Sequence, residues 1–364
     1  MDKERSSSSP RPATEKLAVV VLNWNGEGFL QRFLPGVVEY STGKYAPAAC
    51  EVTVVVADNA STDQSVAWLE ETFVTPGDPR FKLLVFDRNY GFTGGYNRVL
   101  GHEMLVDYDY YLLLNSDIEV TPGWLVPLVE AMRGDSRIAA AMPKMHAYGR
   151  NEYFEYAGAC GGFIDILGYP FCRGRIFGTV ERDNGQYDTP REIFWATGAA
   201  MLVRADLWRS YGGLDEVFFA HMEEIDLCWR FHRGGYTVVV CPRSVVGHVG
   251  GGALPATSFR KTYLNFRNNL AMLYKNLSRR AFVCVYAVRF WIDALQSLAY
   301  LVTGKTSFAG AIFRGHRDFW RKMRSRLQRQ PGAVGFALPP KNVFYRGSVV
   351  LRYVFGRRTF GNMM

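Results

Sequence analysis

Apolar residues along the chain fall into short runs that repeatedly stop at a polar loop. Leu17–Asn23 (LAVVVLN) is a β-branched run the length of one buried strand, and it ends in Asn23-Trp24-Asn25-Gly26. Over Gly28–Tyr40, Phe29, Phe33 and Val37 recur every four residues and predict a helix. Val52–Ala57 (VTVVVA) is a second buried strand, closing on Asp58-Asn59-Ala60-Ser61-Thr62-Asp63. Ser65–Phe73 predicts the next helix and Lys82–Phe86 a third strand; Tyr110–Leu114 (YYLLL) predicts a fourth, ending at Asn115-Ser116-Asp117. Strand, loop and helix in alternation predict an α/β fold, a mostly parallel sheet with helices on both faces. Open sheets of this kind bind ligands outside their strand ends, where these polar loops collect.

Past residue 145 the pattern changes. Residues 145–195 are rich in glycine and aromatics, and short strands and loops are expected there, covering the far side of a cleft. Trp195–Arg204 is strand-like, Val217–Arg233 predicts a helix carrying an acidic cluster, and Thr237–Cys241 predicts a strand before a glycine-rich loop with His248. Phe259–Leu277 reads as a basic helix. Ala281–Val302 has about the length a bilayer requires. Arg289 and Asp293 interrupt it near its centre, which makes a span costly and favours a segment lying in the interface or packed as a hairpin. In Ile312–Leu327, Phe319, Met323 and Leu327 recur every four residues among Lys and Arg, with Trp320 alongside. That is the pattern of an interfacial helix on anionic lipid. Pro331–Met364 carries no assignment.

Charge sharpens this division. The 364 residues have a net charge of +9. Residues 1–254 hold 23 Lys and Arg against 32 Asp and Glu, whereas 255–364 hold 20 against only Asp293 and Asp318, so the two parts carry −9 and +18. The expected organisation is a tail over 1–15, a catalytic domain over 16–254 and a basic helical extension over 255–364. Such an asymmetry implies an anionic partner. No nucleic-acid motif is visible and the aromatics lie within apolar runs, so the expected partner is an anionic membrane surface and not nucleic acid. The first dozen residues, with Ser6–Ser9, Pro10 and Pro12, read as disordered. They lack the apolar core of a signal peptide, which leaves a protein expected at the cytoplasmic side of the cell membrane, peripherally bound. The six cysteines are scattered without a CxxC pair and read as free thiols.

Three polar features carry candidate chemistry. Asp58, at a strand end inside DNASTD, can accept hydrogen bonds from a base or a ribose, with Ser61 and Thr62 as helix caps. Asp117, directly after the YYLLL strand, is the oxygen ligand that a hard divalent cation takes alongside substrate phosphates. Either aspartate is also an ordinary turn residue. In His221-Met222-Glu223-Glu224-Ile225-Asp226, Glu223 and Asp226 share one side of a helix and Glu224 is offset from them. The flanking Phe218, Phe219, Ile225, Leu227 and Trp229 provide an apolar setting that can raise a carboxylate into the range of a general base.

Taken together, VVVADNASTD, NYGFTGGYN (89–97), LLLNSD, Thr197-Gly198 and GGLDEVFFAHMEEIDLCWR stand in an order that resembles the family 2 glycosyltransferases of the GT-A fold. Over residues 16–275 the likeness is to the rhamnosyltransferase-like branch that builds cell-surface polysaccharides. The resemblance implies an inverting transfer of a hexosyl or deoxyhexosyl unit from a UDP- or dTDP-sugar to a glycan or lipid-linked acceptor. It places the donor against Asn23, Asp58, Asn89, Gly91, Gly95, Asn97, Asn115 and Ser116, and the acceptor against Trp195, Thr197, Gly198 and Asp226. It implies a Mg²⁺ or Mn²⁺ ion on Asp117 and His248, and Glu224 as catalytic base beside Glu223. Two positions depart from the family pattern: Asn115 replaces the first acid of the DxD motif, and Glu224 replaces the usual aspartate. Those departures also suit a degenerate subunit that binds or assembles without catalysis. The resemblance leaves room for a homo-oligomer. A nucleotidyltransferase would need a glycine-rich triphosphate loop with a basic residue near the first strand, and Asn23-Trp24-Asn25-Gly26 offers none. A dinucleotide dehydrogenase fits less well, because GFTGG follows no strand of the required kind.

Overall fold

In the computed structural model, residues 14–250, 258–329 and 342–362 are described. The strands are β1 (Glu15–Asn23), β2 (Cys50–Asp58), β3 (Phe81–Val85), β4 (Tyr110–Asn115), β5 (Ile118–Val120), β6 (Ile138–Ala147), β7 (Arg150–Phe154), β8 (Gly162–Asp165), β9 (Pro170–Cys172), β10 (Arg175–Ile176), β11 (Thr179–Val180), β12 (Arg191–Ile193), β13 (Ala200–Arg204), β14 (Thr237–His248) and β15 (Phe344–Tyr345). The helices are α1 (Glu27–Ser41), α2 (Ser65–Leu69), α3 (Gly91–Leu100), α4 (Val126–Gly134), α5 (Ala205–Ser210), α6 (Glu223–Arg233), α7 (Phe259–Asn276), α8 (Arg279–Val302), α9 (Thr306–Asp318) and α10 (Val349–Val354).

The main sheet runs β12-β14-β6-β13-β4-β1-β2-β3, and β5 and β7 join its flank. Strands β4, β1, β2 and β3 are mutually parallel. The residues of β1, β2 and β4 are buried almost without alternation, as strands covered on both faces require, while β3 at the edge is only partly buried. The chain moves outward from β1 through β2 to β3 and returns to β4 on the other side of β1. The order therefore reverses between β1 and β4, and a crevice opens beyond their carboxyl ends. Register carries Asn23 opposite Asp58 and Leu22 opposite Asn115, so three of the expected site residues arrive at one edge. A smaller sheet, β11-β10-β9-β8-β15, is built from the glycine- and aromatic-rich segment.

The C-terminal part differs from its expected form. The predicted tail (1–15) lies outside the described residues through residue 13, and Glu15 already pairs in β1. Strand β15 completes the smaller sheet beside β8, and Phe360 is buried against Phe163 and Phe171, so the unassigned end of the chain is part of the body. Phe319, Met323 and Leu327 do not face lipid: all three are buried, with Phe319 packed on Tyr274 and Phe282. The four-residue repeat marked a core stripe, because the protein itself supplies the apolar partner.

Helix α8 is long and apolar enough to cross a membrane by length and composition, yet its two central charges point into the protein. Arg289 and Asp293 are each 1% exposed. The Arg289 guanidinium lies 3.8 Å from the Tyr169 ring centroid and donates to the Leu167 carbonyl at 3.0 Å and to Asn269. Asp293 accepts from the Tyr169 hydroxyl at 2.8 Å and pairs with His316 Nε2 at 3.0 Å. Packing as a hairpin with α9 is the arrangement found.

Removing one member of a buried pair strands the other without its counter-charge. Arg289→Ala is therefore expected to cost about 3–5 kcal/mol, read as a lower urea midpoint with an unchanged m-value.

Candidate active site

Strand ends β1 and β2 are tied to each other before any ligand arrives. Asn23 donates to Asp58 Oδ2 at 2.8 Å, and both residues are fully buried. Asp58 also accepts from the Ser61 backbone N–H and hydroxyl, at 2.8 and 2.7 Å. The Asn23 side-chain oxygen is enclosed without a partner. Asn59, which the sequence reading passed over, organises the next loop: it donates to Asn89 Oδ1 and the Gly91 carbonyl and accepts from the Tyr90 N–H. Asn89 in turn accepts from the Gly91 N–H at 2.7 Å. The segment 91–97 forms the first turns of α3. Gly91 sits at φ +72°, and a Cβ there would fall 2.7 Å from the Phe219 ring, so both conformation and space demand glycine.

Asp117 and His248 come together because β5 pairs with the end of β14, placing His248 opposite Ile118. His248 Nε2 lies 3.3 Å from Asp117 Oδ1, and its Nδ1 lies 3.3 Å from Glu155 Oε1. Glu155, another residue the sequence reading missed, is buried and also accepts from the Ala157 N–H. Burial alone would raise the Asp117 carboxyl, but the hydrogen bond and charge of His248 hold it below the usual carboxylate range. Burial would lower His248, yet Asp117 and Glu155 on its two sides push it up to about 10. A divalent cation fits this donor set. Carboxylate oxygen and imidazole nitrogen face each other at short range, and a second carboxylate stands behind the ring to orient it. Among the described residues no cluster of three or more such side chains holds a metal by itself. The remaining positions would fall to substrate oxygens and water.

The acidic helix begins later than its pattern suggested. Only Glu223–Arg233 is helical, and residues 217–222 form a loop with Phe219, His221 and Met222 at φ 69°, 70° and 77°. Each left-handed non-glycine residue costs on the order of 1 kcal/mol, so the loop must be held from outside. Asn268 of α7 holds it. Its amide donates to the carbonyls of Phe218, Ala220 and His221 at 3.0, 2.7 and 2.8 Å, while Arg267 donates to Phe218 as well. The result places Glu223 and Glu224 at the first turn of α6 with one oxygen of each enclosed and unpartnered. Burial drives Glu223 well above the usual range, with the Glu224 charge adding to it. Glu224 is partly exposed, and burial pushes it up to about 7 against the pull of the helix N–H groups. Its Cβ lies over Gly198, whose neighbour Ala199 accepts from the Asn115 N–H at 2.9 Å, so the acid pair stands beside the β4 tip.

Four expected contacts have other occupations. Asp226, fully buried, bonds Arg230 at 3.1 Å and Lys275 and Asn276 at 2.8 Å each, and so has no oxygen to offer an acceptor. Trp195 is buried with its indole N–H on the Phe163 carbonyl. Asn97 bonds the Leu214 backbone through both ends of its amide. Gly95 makes room for Leu22, where a Cβ would fall 2.7 Å away. Thr197 is buried, and Ser116 and Asn115 are partly exposed at the β4 tip.

With that geometry in place, a profile described as Glycosyl transferase family 2 matches residues 18–203. A relative from Mycobacterium tuberculosis, N-acetylglucosaminyl-diphospho-decaprenol L-rhamnosyltransferase, is 28% identical over 247 residues, 65% of this chain and 76% of that protein. The structure of GalNAc-T7 with UDP, GalNAc and Mn²⁺ superposes with a TM-score of 0.58 at 15% identity, covering 86% of this chain but only 57% of that one. The mannosyltransferase PcManGT of Pyrobaculum calidifontis with GDP-Man and Mn²⁺ gives 0.52 at 12% identity, covering 88% and 91%. These two likenesses are of fold, and they give the sheet its class, GT-A. The chain belongs to glycosyl transferase family 2 and is a glycosyltransferase.

Proposed function

We propose that the chain transfers a hexosyl or deoxyhexosyl unit from a nucleoside-diphosphate sugar to a lipid-linked acceptor, with inversion, at an anionic membrane surface. The observation that carries the reading is the pair Glu223-Glu224, unpartnered, raised by burial and set beside the tips of β1 and β4. Glu224 is the base: it takes the proton of the acceptor hydroxyl as that oxygen attacks the anomeric carbon from the side opposite the departing nucleotide. One displacement of this kind inverts the anomeric centre. Burial and the neighbouring Glu224 charge both raise Glu223, which favours its protonated form and so limits the negative charge of the pair. Asn23 and Asp58 hold the nucleoside edge of the crevice, and the Asn89–Gly91 turn, fixed by Asn59, walls it at the start of α3. Asp117 and His248 would hold Mg²⁺ or Mn²⁺, which supplies charge neutralisation for the diphosphate leaving group. A lipid-linked acceptor is supported by the Mycobacterium tuberculosis relative, whose name specifies a diphospho-decaprenol substrate.

Membrane association is supported by α8. Val288, Trp291, Leu295, Leu298 and Val302 recur at helical spacing and are all exposed, the buried charges Arg289 and Asp293 lying on the opposite side. Phe290 and Phe313 widen this apolar face, while Arg314, Arg317 and Lys322 on the following segment are solvent-accessible. An apolar stripe flanked by cations matches an anionic lipid surface in both respects.

Glu224→Gln is expected to lower kcat by about a hundredfold to ten-thousandfold with nucleotide affinity unchanged; full activity in that variant ends the assignment. A base works only when deprotonated, so the wild-type rate is expected to fall as pH drops through about 7, well above the ordinary glutamate value of 4.5. Glu155→Gln, which leaves both candidate metal donors in place, is expected to weaken Mn²⁺ binding about 10–100-fold by titration in the presence of UDP, and Asp117→Ala to abolish it. For the membrane, Trp291→Asp with Leu295→Asp is expected to remove co-sedimentation with phosphatidylglycerol vesicles while the melting temperature stays constant. Continued sedimentation would place the contact elsewhere.

A further inference from the structure

Among the described residues, four of the six buried Lys and Arg side chains are answered by carboxylates. Arg230 and Lys275 share Asp226, Lys144 meets Asp183 at 2.7 Å, and Arg289 meets Asp293 at 3.3 Å. Arg173 is answered instead by the carbonyls of Cys160, Tyr187 and Thr189, at 3.0 to 3.3 Å. Arg175 is the exception. It is 7% exposed and has no ion-pair partner among the described residues. Among the described residues its only hydrogen bonds are long ones, to the Phe177 carbonyl at 3.4 Å and the Cys172 sulfur at 3.5 Å, and its enclosed Nε meets no partner there. The Tyr156 ring, its centroid 4.3 Å from the guanidinium carbon, adds attraction but no compensating charge. A guanidinium kept this dry without a counter-charge is a large expense for the fold, unless an anion arrives to meet it.

A second cation stands beside it. Lys261, in the first turn of α7, places its ammonium 5.9 Å from the same Tyr156 ring, and among the described residues its side chain meets no acceptor. Burial holds its pKa below the usual lysine value; Glu155 pulls it up and Arg175 pushes it down. His221, next in line, is held neutral by burial and by the Lys261 charge, and its Nε2 is enclosed and unpartnered. Glu155 does not cancel the pair, because its carboxylate is turned to His248 and the Ala157 N–H. The cluster lies within electrostatic reach of the acid pair: the Cys172 sulfur that touches Arg175 feels the charges of both Glu155 and Glu224.

Resting on the glycosyltransferase reading above, we infer that Arg175 and Lys261, both packed against the Tyr156 ring, form a subsite for the diphosphate of the acceptor. Two cations with a neutral imidazole suit a diphosphate ester, whose several oxygens can engage a fork and a point charge at once. Donor phosphates have their own place beside Asp117 and His248. A sugar carried on a diphosphate held here would present its hydroxyl next to Glu224.

The test titrates farnesyl diphosphate, and separately UDP with Mn²⁺, into the wild-type chain, Lys261→Gln and Arg175→Lys. Lys261 is partly exposed, so its variant remains informative if Arg175 proves necessary for folding. The expected result is that each variant binds farnesyl diphosphate about tenfold more weakly or worse, the loss of one charge-assisted contact, while the Kd of UDP moves by less than twofold. Loss of UDP affinity with farnesyl diphosphate unaffected would give the subsite to the donor and overturn the inference. So would unchanged binding of both, or a wild type that does not bind farnesyl diphosphate. Failure of the glycosyltransferase reading looks different: the wild type would bind no UDP and hydrolyse no nucleotide sugar, whatever the variants do with the isoprenyl diphosphate.

Discussion

The active end of this protein depends on one buried carboxylate. Asp226 is fully enclosed and would be prohibitively costly there alone, but it is met by Arg230 on its own helix and by Lys275 and Asn276 on α7. Lys275 reaches on to Asp215 at 2.7 Å, and Arg230 donates to the Gly213 carbonyl at 2.7 Å. Four segments therefore close on a single charge: α6, α7 and both ends of the 211–215 turn. With α6 and α7 locked in this register, Asn268, two turns up α7 from Lys275, lies under the left-handed loop 218–222 and can staple its carbonyls. The strain of that loop is thus sustained by a network that takes no part in chemistry. What the strain achieves is the late start of α6, which brings Glu223 and Glu224 to the first turn with unpartnered oxygens.

Much of the first half was legible because local signals agreed. β-branched runs ending on Asn, Asp and Ser loops specify a parallel sheet and its polar edge, and register alone then delivers Asn23, Asp58 and Asn115 to one crevice. Asp117 and His248, 131 positions apart in the chain numbering, were paired only through the family resemblance; the pairing of β5 with β14 gives the physical reason. Glu155 and Asn59 were not legible, since each acts by meeting a side chain or backbone group supplied by a distant turn. Asp226 misled because acidity and helical spacing say nothing of which face is dry. Its neighbour Glu224, one turn position away, keeps the free oxygen that Asp226 lacks.

The boundary drawn at residue 254 shows the same limit. Composition changes sharply there, yet the packing does not. Asn268 and Asn269 are both buried on α7, and each serves a neighbour's backbone: Asn268 holds the 218–221 carbonyls and Asn269 the Gly168 carbonyl. Phe319, Met323 and Leu327 carried a true amphipathic period, but periodicity identifies an apolar face without naming what covers it. Here α7 and α8 cover it, and the exposed apolar stripe lies instead on α8, where two internal charges had argued against a span.

The excess of cations after residue 254 therefore has two uses, separated by depth. Lys275, Arg289 and Arg267 are turned inward, where each answers a carboxylate or carbonyl of the sheet-bearing part and fixes the acid pair's surroundings. Arg314, Arg317 and Lys322 remain at the surface around Asp318, which alone cannot neutralise them. An acidic domain built around a site for phosphates repels its own substrates at long range. A basic segment packed into the same body as the acid pair offsets that field close to the crevice. The same helices then staple the 218–222 loop and carry the exposed cations and apolar stripe on which the proposed contact with an anionic surface rests.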